Sequence, residues 1–259
     1  MKKSSVARKG GLARVLLHGN PGTPEGRRRG GLRSVAVQRK KSTGFVTLRS
    51  IPHPRVSSDL AELLGILAGD GHVGAYQITM TTNQSTDFDH ALHASSLFNK
   101  LFGISAPIRF KKGKNACVVV VSSRALVLFL TKKGLVQGHK IRGGISMPPW
   151  VRRHKKYRVA FIRGLFDTDG SVYIDTHRIS GREYKNIGMA FTNRSLPLLA
   201  DFKQAVVLVG LHPTQKTQYT VFLRREKDIR RYFDVVGSSN PKHTRKVDRY
   251  FSSRHGGVG

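Results

Sequence analysis

The chain has 259 residues, with 46 Lys and Arg against 15 Asp and Glu, a formal net charge of +31 and a sequence pI near 11.2. Together with 39% hydrophobic residues, this charge indicates a folded protein whose partner is a polyanion, most simply a nucleic acid. The single cysteine, Cys117, excludes an internal disulfide and a cysteine-rich zinc site, and no apolar run reaches the ~18 residues of a membrane-spanning helix.

The first 55 residues differ in composition from the rest of the chain. They contain 14 Lys and Arg but one acid, Glu25, and they are rich in glycine around residues 27–31. Such a segment has too few apolar residues for a core of its own. We therefore predict a flexible basic arm over residues 1–55 that adds phosphate contacts on DNA, the alternative being a solubilising tail. Because the charged N-terminus lacks the apolar stretch of a secretory signal, we expect an intracellular protein outside the membrane.

From Ser57 the pattern becomes that of a folded domain. Capping residues at 57–59 precede an apolar face that begins at Leu60, which is typical of an amphipathic helix. Alternating residues and glycine turns then predict strands, and Gly103 would stop a second helix. The predicted order is a helix up to Asp70, a strand after Gly71, a strand over 76–82, a helix over 87–102, a hairpin over 106–121 and a helix over 124–130.

The second half repeats this order of elements. Residues 192–195, Thr-Asn-Arg-Ser, also resemble residues 82–85, Thr-Asn-Gln-Ser. The predicted elements are a helix over 157–169, a strand from 171, a basic loop over 177–185, a strand over 186–192, a helix over 196–209, a hairpin over 211–224 and a last helix from 226. We therefore predict an α+β fold in which an α-β-β-α-β-β-α unit occurs twice, in subdomains 56–150 and 151–259.

The helices that open the two halves both run into Asp-Gly, at Asp70-Gly71 and Asp169-Gly170. A carboxylate in the last turn of a helix lies at the negative end of the dipole, which costs roughly 0.3–1 kcal/mol. Its occurrence in both helices indicates a cation that binds both acids, and a divalent metal is the obvious candidate.

Small residues recur in the same two helices. Gly65 and Gly69 are four residues apart, as are Gly164 and Thr168, so each pair shares one helix face and permits close approach of two backbones. If the helices pack through these faces, Asp70 and Asp169 come together at one end of the pair.

These two segments resemble the paired signature helices of LAGLIDADG homing endonucleases, in the form that carries both copies on one chain. The second copy matches from Gly164 to the sequence Asp-Thr-Asp-Gly at 167–170; the first departs at Ala68 but keeps Asp70. The resemblance implies two pseudo-symmetric subdomains with saddle-like antiparallel sheets. It also implies a monomer that makes a double-strand break in a long, non-palindromic DNA target during intron homing.

The resemblance further implies a metal site. Asp70 and Asp169 would bind Mg²⁺, which prefers hard oxygen ligands, and free backbone carbonyls around Gly69 and Thr168 would add to the coordination.

Four further residues fall at positions that are catalytic in the family. Lys140 and Lys242 would stabilise the transition state or polarise water, although either could be a surface lysine that binds phosphate. Asn83 and Asn193 would help to place water. Strand parity puts Asn83 opposite the core-facing Ile78 but puts Asn193 in step with core-facing Phe191, so we predict that the two asparagines are not equivalent.

Sequence specificity would come from the sheets, because an antiparallel ribbon can enter the major groove and present alternate side chains to base edges. A solvated sheet face is the alternative for each candidate. The candidates are Gln77, Thr79, Thr81, Arg109, Lys111, Lys112 and Lys114 from the first half, and Tyr184, Asn186, Gln215, Lys216 and Gln218 from the second.

Other functions compete with cleavage. A relative that does not cut could bind intron RNA as a maturase or act as a DNA-binding regulator, and such a protein need not retain both aspartates. Asp175 with Glu183 and Lys185 loosely matches another nuclease pattern, but a basic loop explains these residues more simply. An intein is not expected, because the chain lacks the Cys or Ser start and His-Asn end that splicing requires, and a structural RNA-binding protein would not explain the duplicated Asp-Gly helices.

Overall fold

The computed structural model describes residues 3–19, 22–41 and 50–255, and the chain divides into two compact units between residues 49 and 50. The N-terminal unit contains helices α1 (Lys3–His18) and α2 (Pro24–Lys41). Pro24 suits the first position of α2, and Thr23 Oγ1 accepts a hydrogen bond from the amide of Gly26 (3.1 Å). These helices differ from the irregular arm that the composition predicts.

The described leucines of this unit, such as Leu12 and Leu16, are nevertheless exposed. The unit therefore lacks an apolar core over the residues that are described, in agreement with its composition. Whether it is flexible in solution stays a prediction.

The second unit contains both predicted subdomains. In the described parts of the chain, no helix combines the length and apolar character needed to cross a bilayer. The elements are α3 (Ser58–Gly69), β1 (Gly71–Val73), β2 (Gln77–Asn83), α4 (Phe88–Phe102), β3 (Ile108–Phe110), β4 (Ala116–Ser122), α5 (Arg124–Lys132), α6 (Pro149–Arg153), α7 (Lys155–Asp169), β5 (Gly170–Ile179), β6 (Arg182–Thr192), α8 (Leu196–Leu208), β7 (Thr214–Thr217), β8 (Thr220–Leu223), α9 (Glu226–Val235) and α10 (Pro241–His255).

Local signals set the helix ends. The Ser57 side chain caps α3 by accepting a hydrogen bond from the amide of Leu60 (3.2 Å), and Ser123 caps α5 in the same way. Gly103 ends α4 in the left-handed conformation, with φ at 62°. These boundaries lie within a few residues of the predicted ones.

The two halves have the same sheet topology, which confirms the duplicated α+β fold. Each half has a four-stranded antiparallel sheet, in the order β1-β2-β4-β3 or β5-β6-β8-β7. One face of each sheet packs into the core through alternate residues, such as Ile78 and Met80 in β2 and Met189 and Phe191 in β6. The buried residues of both halves and of helices α3 and α7 form one core.

The predicted basic loop over residues 177–185 is wrong. Strands β5 and β6 continue through this segment and pair up to Ile179 and Arg182. Ser180 and Gly181 between them have φ values of 50° and 81°, which suits a two-residue hairpin turn that matches the strand twist. The basic composition concealed a regular hairpin.

The chain also continues past the predicted last helix. Helix α10 follows α9 and has Lys242 in its first turn, and the short helix α6 lies between the halves. Neither of these helices was predicted from the sequence.

Candidate active site

Helices α3 and α7 pack through their small residues, with their backbones in contact. A Cβ atom on Gly65 would collide with the carbonyl oxygen of Phe161, and one on Gly164 with the carbonyl oxygen of Glu62. A Cβ on Gly69 would collide with the hydroxyl of Thr168. The four small residues therefore form one interface, and the two Asp-Gly ends lie side by side.

Asp70 and Asp169 occupy the C-terminal ends of this helix pair. Asp70 is the C-cap of α3, and its amide donates to the carbonyl of Ile66 (3.0 Å). Burial, together with the nearby charge of Asp169, raises the pKa of Asp70 to about 7. Burial also raises the pKa of Asp169, while a hydrogen bond from Asn193 opposes this effect. Ionisation of the two carboxyl groups is therefore unfavourable in the absence of a cation, and a bound cation would stabilise the ionised forms.

The donor set fits a hard divalent cation. Mg²⁺ is commonly held by one or two carboxylates, with water and substrate phosphate as its other ligands, and these two aspartates supply that minimum. The described residues contain no group of three or more His, Cys, Asp or Glu side chains suited to a metal, so oxygen ligands from elsewhere would complete the coordination.

Lys140 lies at the end of α3. Its Nζ donates to the carbonyl oxygens of Ala68 (3.0 Å) and Gly69, because the carbonyls at a helix C-terminus attract a cation. The Gly69 carbonyl, which was expected to be free, is thus already hydrogen-bonded. Burial lowers the pKa of the Lys140 ammonium, and Asp169 and Asp70 act against this effect.

The hydroxyl of Thr168 donates to the carbonyl oxygen of Leu165 (2.8 Å). This bond binds the Thr168 side chain within α7.

A cavity of about 270 Å³ opens beside Lys140 and Asp169. Arg194 lines this cavity and was not among the residues predicted from the sequence. The available signal was the substitution of Arg194 for Gln84 in the repeated tetrapeptide. The lining residues are Ala68, Gly69, Lys140, Ile141, Ile145, Asp169, Thr192, Asn193 and Arg194.

The two asparagines have different surroundings, as strand parity predicts. Asn193 donates from Nδ2 to Asp169 Oδ2 (2.7 Å) and accepts at Oδ1 from the amide of Ser195 (2.7 Å). Asn83 is exposed, and its Oδ1 accepts from the amides of Ser85 (2.9 Å) and Thr86 (3.0 Å). Asn193 thus orients a candidate metal ligand, whereas Asn83 stabilises a turn.

Lys242 forms an ion pair with Asp87, from Nζ to Oδ1 (2.6 Å). Asn240 also donates to this buried carboxylate (2.7 Å). Asp87 was not predicted from the sequence, because an aspartate just before a helix is typical of an N-cap.

A polar cluster around the buried Glu62 joins α3 to α4 and α7. Glu62 accepts hydrogen bonds from His93 Nε2 (2.8 Å), from Arg163 and from Ser239 Oγ (2.6 Å). Burial raises the pKa of Glu62, but these three bonds outweigh burial and hold the pKa at about 2. The cluster ties α3, α4 and α7 to the segment before α10.

Most DNA-binding candidates lie on open surfaces of the sheets. In the first sheet, Thr79 and Thr81 lie opposite Val120 and Val118, and Arg109 also lies opposite Val118. Thr79 and Thr81 alternate in β2 with the core-facing Ile78 and Met80. Other exposed candidates are Gln77, Lys111, Lys112 and Lys114 in the first half and Tyr184, Asn186, Lys216 and Gln218 in the second.

Gln215 is placed differently from its prediction. Its Oε1 accepts from Lys203 of α8 (3.3 Å), so the side chain lies toward the helix layer and not on the open sheet face.

The residues of the competing nuclease pattern lie on the exposed β5–β6 hairpin. Glu183 pairs there with Lys185 (3.3 Å), and the Asp175 side chain is 67% exposed.

Comparison with known proteins shows similarity in the second half of the chain and to parts of longer proteins. Residues 156–239 match the model of a LAGLIDADG-like domain. A replication factor C small subunit from Methanocaldococcus jannaschii is 32% identical over 133 residues, or 47% of this chain. The tRNA-splicing ligase RtcB from Methanopyrus kandleri is 24% identical over 208 residues, or 71% of this chain. The chain spans 7% and 21% of these two proteins, respectively.

Solved structures of homing endonucleases are also similar. I-SmaMI bound to an uncleaved DNA target in the presence of calcium ions has a TM-score of 0.51 and 10% identity, covering 75% of this chain and 89% of that chain. I-DmoI in complex with DNA and Mn has a TM-score of 0.45 and 18% identity, covering 71% and 98%, respectively. The matched domain spans α7 to α9, and α3 opens a first half with the same topology. Residues 156–239 are therefore similar to a LAGLIDADG-like domain, and the half of the chain that precedes them repeats the same sheet topology.

Proposed function

We propose that this protein is a DNA endonuclease that uses Mg²⁺ to cut both strands of a long, non-palindromic target as a monomer, in the manner of intron homing. The observation that carries the proposal is the placement of Asp70 and Asp169 side by side at the ends of two helices in backbone contact. A protein selected for stability alone would gain by replacing either acid, since both are partly buried and repel each other.

Each cut forms a bond from a water oxygen to phosphorus and breaks the bond to the leaving sugar oxygen, which takes up a proton. Bound Mg²⁺ would supply charge neutralisation and an activated water. Asp70 and Asp169 would bind the metal, and Asn193 would fix the orientation of Asp169. The Lys140 ammonium interacts electrostatically with both carboxylates. From this position it would donate a hydrogen bond to a phosphate oxygen.

Charge and sheet geometry support double-stranded DNA as the substrate. The net charge of +31 favours phosphate binding, and the open sheet faces carry side chains such as Arg109 and Tyr184 that suit base edges. Because the two halves present different residues, each would read its own half-site. One chain would therefore read an asymmetric target without a partner subunit.

The test is cleavage of the uninterrupted host locus, or of a plasmid library carrying random targets, with Mg²⁺. We expect a double-strand break, and we expect Asp70→Asn and Asp169→Asn to abolish cutting while retaining DNA binding. Asp234→Asn on α9 is the matched control, because it removes an exposed carboxylate. Intact cutting by both site variants would contradict the metal assignment.

The competing functions give different results in the same assay. Specific DNA binding without a break in Mg²⁺ or Mn²⁺ would identify a DNA-binding regulator. Tight binding of intron RNA, with no specific DNA site, would identify a maturase.

A further inference from the structure

The two candidate lysines are not placed alike. Lys140 donates to the α3 end and lines the cavity that also contains Asp169 and Asn193. Lys242 instead pairs with Asp87 (2.6 Å), and its side chain is 27% exposed. One half-site therefore has its lysine beside the carboxylates, whereas the lysine of the other is held by a separate acid.

The surroundings of Asp87 favour its ion pair with Lys242. Asp87 stands at the N-cap of α4 but makes no capping hydrogen bond. Its two oxygens accept from Lys242 and Asn240, which lie in or just before α10, and from Thr86 Oγ1 (2.6 Å). The carboxylate is 6% exposed, and α4 and α10 come from opposite halves of the chain, so this contact spans the pseudo-symmetric pair.

The ion pair lies beside the end of β2, where the Asp87 amide donates to the carbonyl of Asn83 (3.1 Å). Its charges also act on Asp70: after burial and Asp169, which raise the pKa of Asp70, and Lys140, which lowers it, Asp87 raises and Lys242 lowers that pKa. The Asn83 side chain is used in a turn and forms no bond equivalent to that between Asn193 and Asp169. The half-site that contains Asp70 thus differs from the half-site that contains Asp169 in the contacts of both its lysine and its asparagine.

We propose that Asp87 is a positioning residue that holds the Lys242 ammonium away from the reacting phosphate, so that the strand facing Lys140 and Asn193 is cut first. This inference rests on the proposed endonuclease function. It predicts a nicked intermediate in which one particular strand is broken. The second strand is cut more slowly because the ion pair between Lys242 and Asp87 must break first.

The first test measures the two cuts separately on a target labelled differently on each strand. We expect Asp87→Asn to reduce the ratio of fast to slow cutting by roughly tenfold, the effect of losing one charge-assisted hydrogen bond. Asp87→Glu should keep the ratio near that of the wild type. Asp89→Asn is the matched control, because Asp89 also pairs with α10, through Arg245 (3.1 Å), but is exposed. Lys140→Met should slow the fast cut selectively, and Lys242→Met the slow one.

The second test needs neither metal nor DNA. Amine acetylation followed by mass spectrometry should show Lys242 reacting roughly tenfold faster in Asp87→Asn, since the ammonium is no longer held by the charge-assisted hydrogen bond to Asp87. Exposed Lys227 serves as the internal reference, and Asp89→Asn should leave the reactivity of Lys242 unchanged.

The outcomes separate the two hypotheses. Equal cutting of both strands by the wild type, or unchanged ratio and reactivity in Asp87→Asn, would overturn the role of Asp87. A wild-type protein that cuts neither strand would overturn the proposed endonuclease function, whatever the reactivity of Lys242.

Discussion

Gly65 of α3 lies directly against the carbonyl oxygen of Phe161 in α7, so that a Cβ at this position would overlap that oxygen. We expect Gly65→Ala to force the helices apart and to destabilise the protein by about 1–3 kcal/mol, as overpacking does. Because the same helices carry Asp70 and Asp169, cleavage should fall as well. Thermal denaturation and strand-cutting assays measure the two effects.

The control for this variant is Gly30→Ala. Gly30 lies in α2, and a Cβ added there would have no neighbouring atom within 4 Å, so alanine should be tolerated and should favour the helix. A Gly65→Ala protein as stable as the wild type would contradict the close packing of α3 and α7.

The helix pair could be predicted from sequence because its signals are local. Small residues four apart and an acid before glycine are visible within one segment, and their repetition gave the duplicated order of elements. The ion pair between Asp87 and Lys242 joins residues far apart in the chain, and no local pattern connects them. The fold could thus be predicted from the sequence, whereas the long-range contacts of the site could not.

The β5–β6 hairpin shows a second limit. Its turn depends on Ser180 adopting a positive φ, which is uncommon for a residue other than glycine, and the surrounding charges resemble those of a loop. The backbone conformation at the turn, and not the amino-acid composition, determines that this segment forms a hairpin.

Glu62 should make stability depend on acid pH. Its folded-state pKa is about 2, below the ordinary value of 4.5, so its stabilising contribution is complete above pH 4.5 and is lost as pH falls toward 2. We expect Glu62→Gln to lower the free energy of unfolding at pH 7 by about 3 kcal/mol, the size of this pKa difference. The gap to the wild type should close toward pH 2 in denaturant titrations.

Glu183→Gln is the control for Glu62, since Glu183 pairs with Lys185 on the exposed hairpin. Its stability curve should follow that of the wild type at every pH. A constant gap between Glu62→Gln and the wild type down to pH 2 would show that the charge of Glu62 is not responsible.

Asn193 should set the pH range of activity through Asp169. Its hydrogen bond to Asp169 (2.7 Å) opposes the rise in the pKa of this carboxyl, so Asn193→Ala should raise that pKa further. The ionised carboxylate would then require a higher pH, and the acid limb of the cleavage profile should shift upward. Asn83→Ala should leave this limb in place, and equal shifts in both variants would argue against the asymmetry of the two asparagines.

The lengths of the hairpins predict an unequal footprint on DNA. Strand β5 has ten residues and β1 has three, a difference of about 20 Å of strand. Hydroxyl-radical footprinting should therefore show longer protection on the side of the second half. Tyr184→Ala should weaken protection only there, because Tyr184 stacks on His177 within this hairpin (5.9 Å); protection of equal length on both sides would contradict a role of the hairpin tip.

The basic N-terminal segment should contribute to affinity through phosphates. Arg27, Arg28 and Arg29 are exposed, and each phosphate contact contributes about 0.9 to the slope of log affinity against log salt concentration. We expect replacement of all three by Gln to reduce that slope by roughly 1–3 while leaving the order of preferred target sequences unchanged, since phosphate contacts carry no base information. Replacement of three exposed lysines on the first long hairpin, Lys111, Lys112 and Lys114, provides the comparison at equal charge. An unchanged slope in the arginine variant would reduce the segment to a solubilising tail, whereas an altered target preference would mean that it contacts bases.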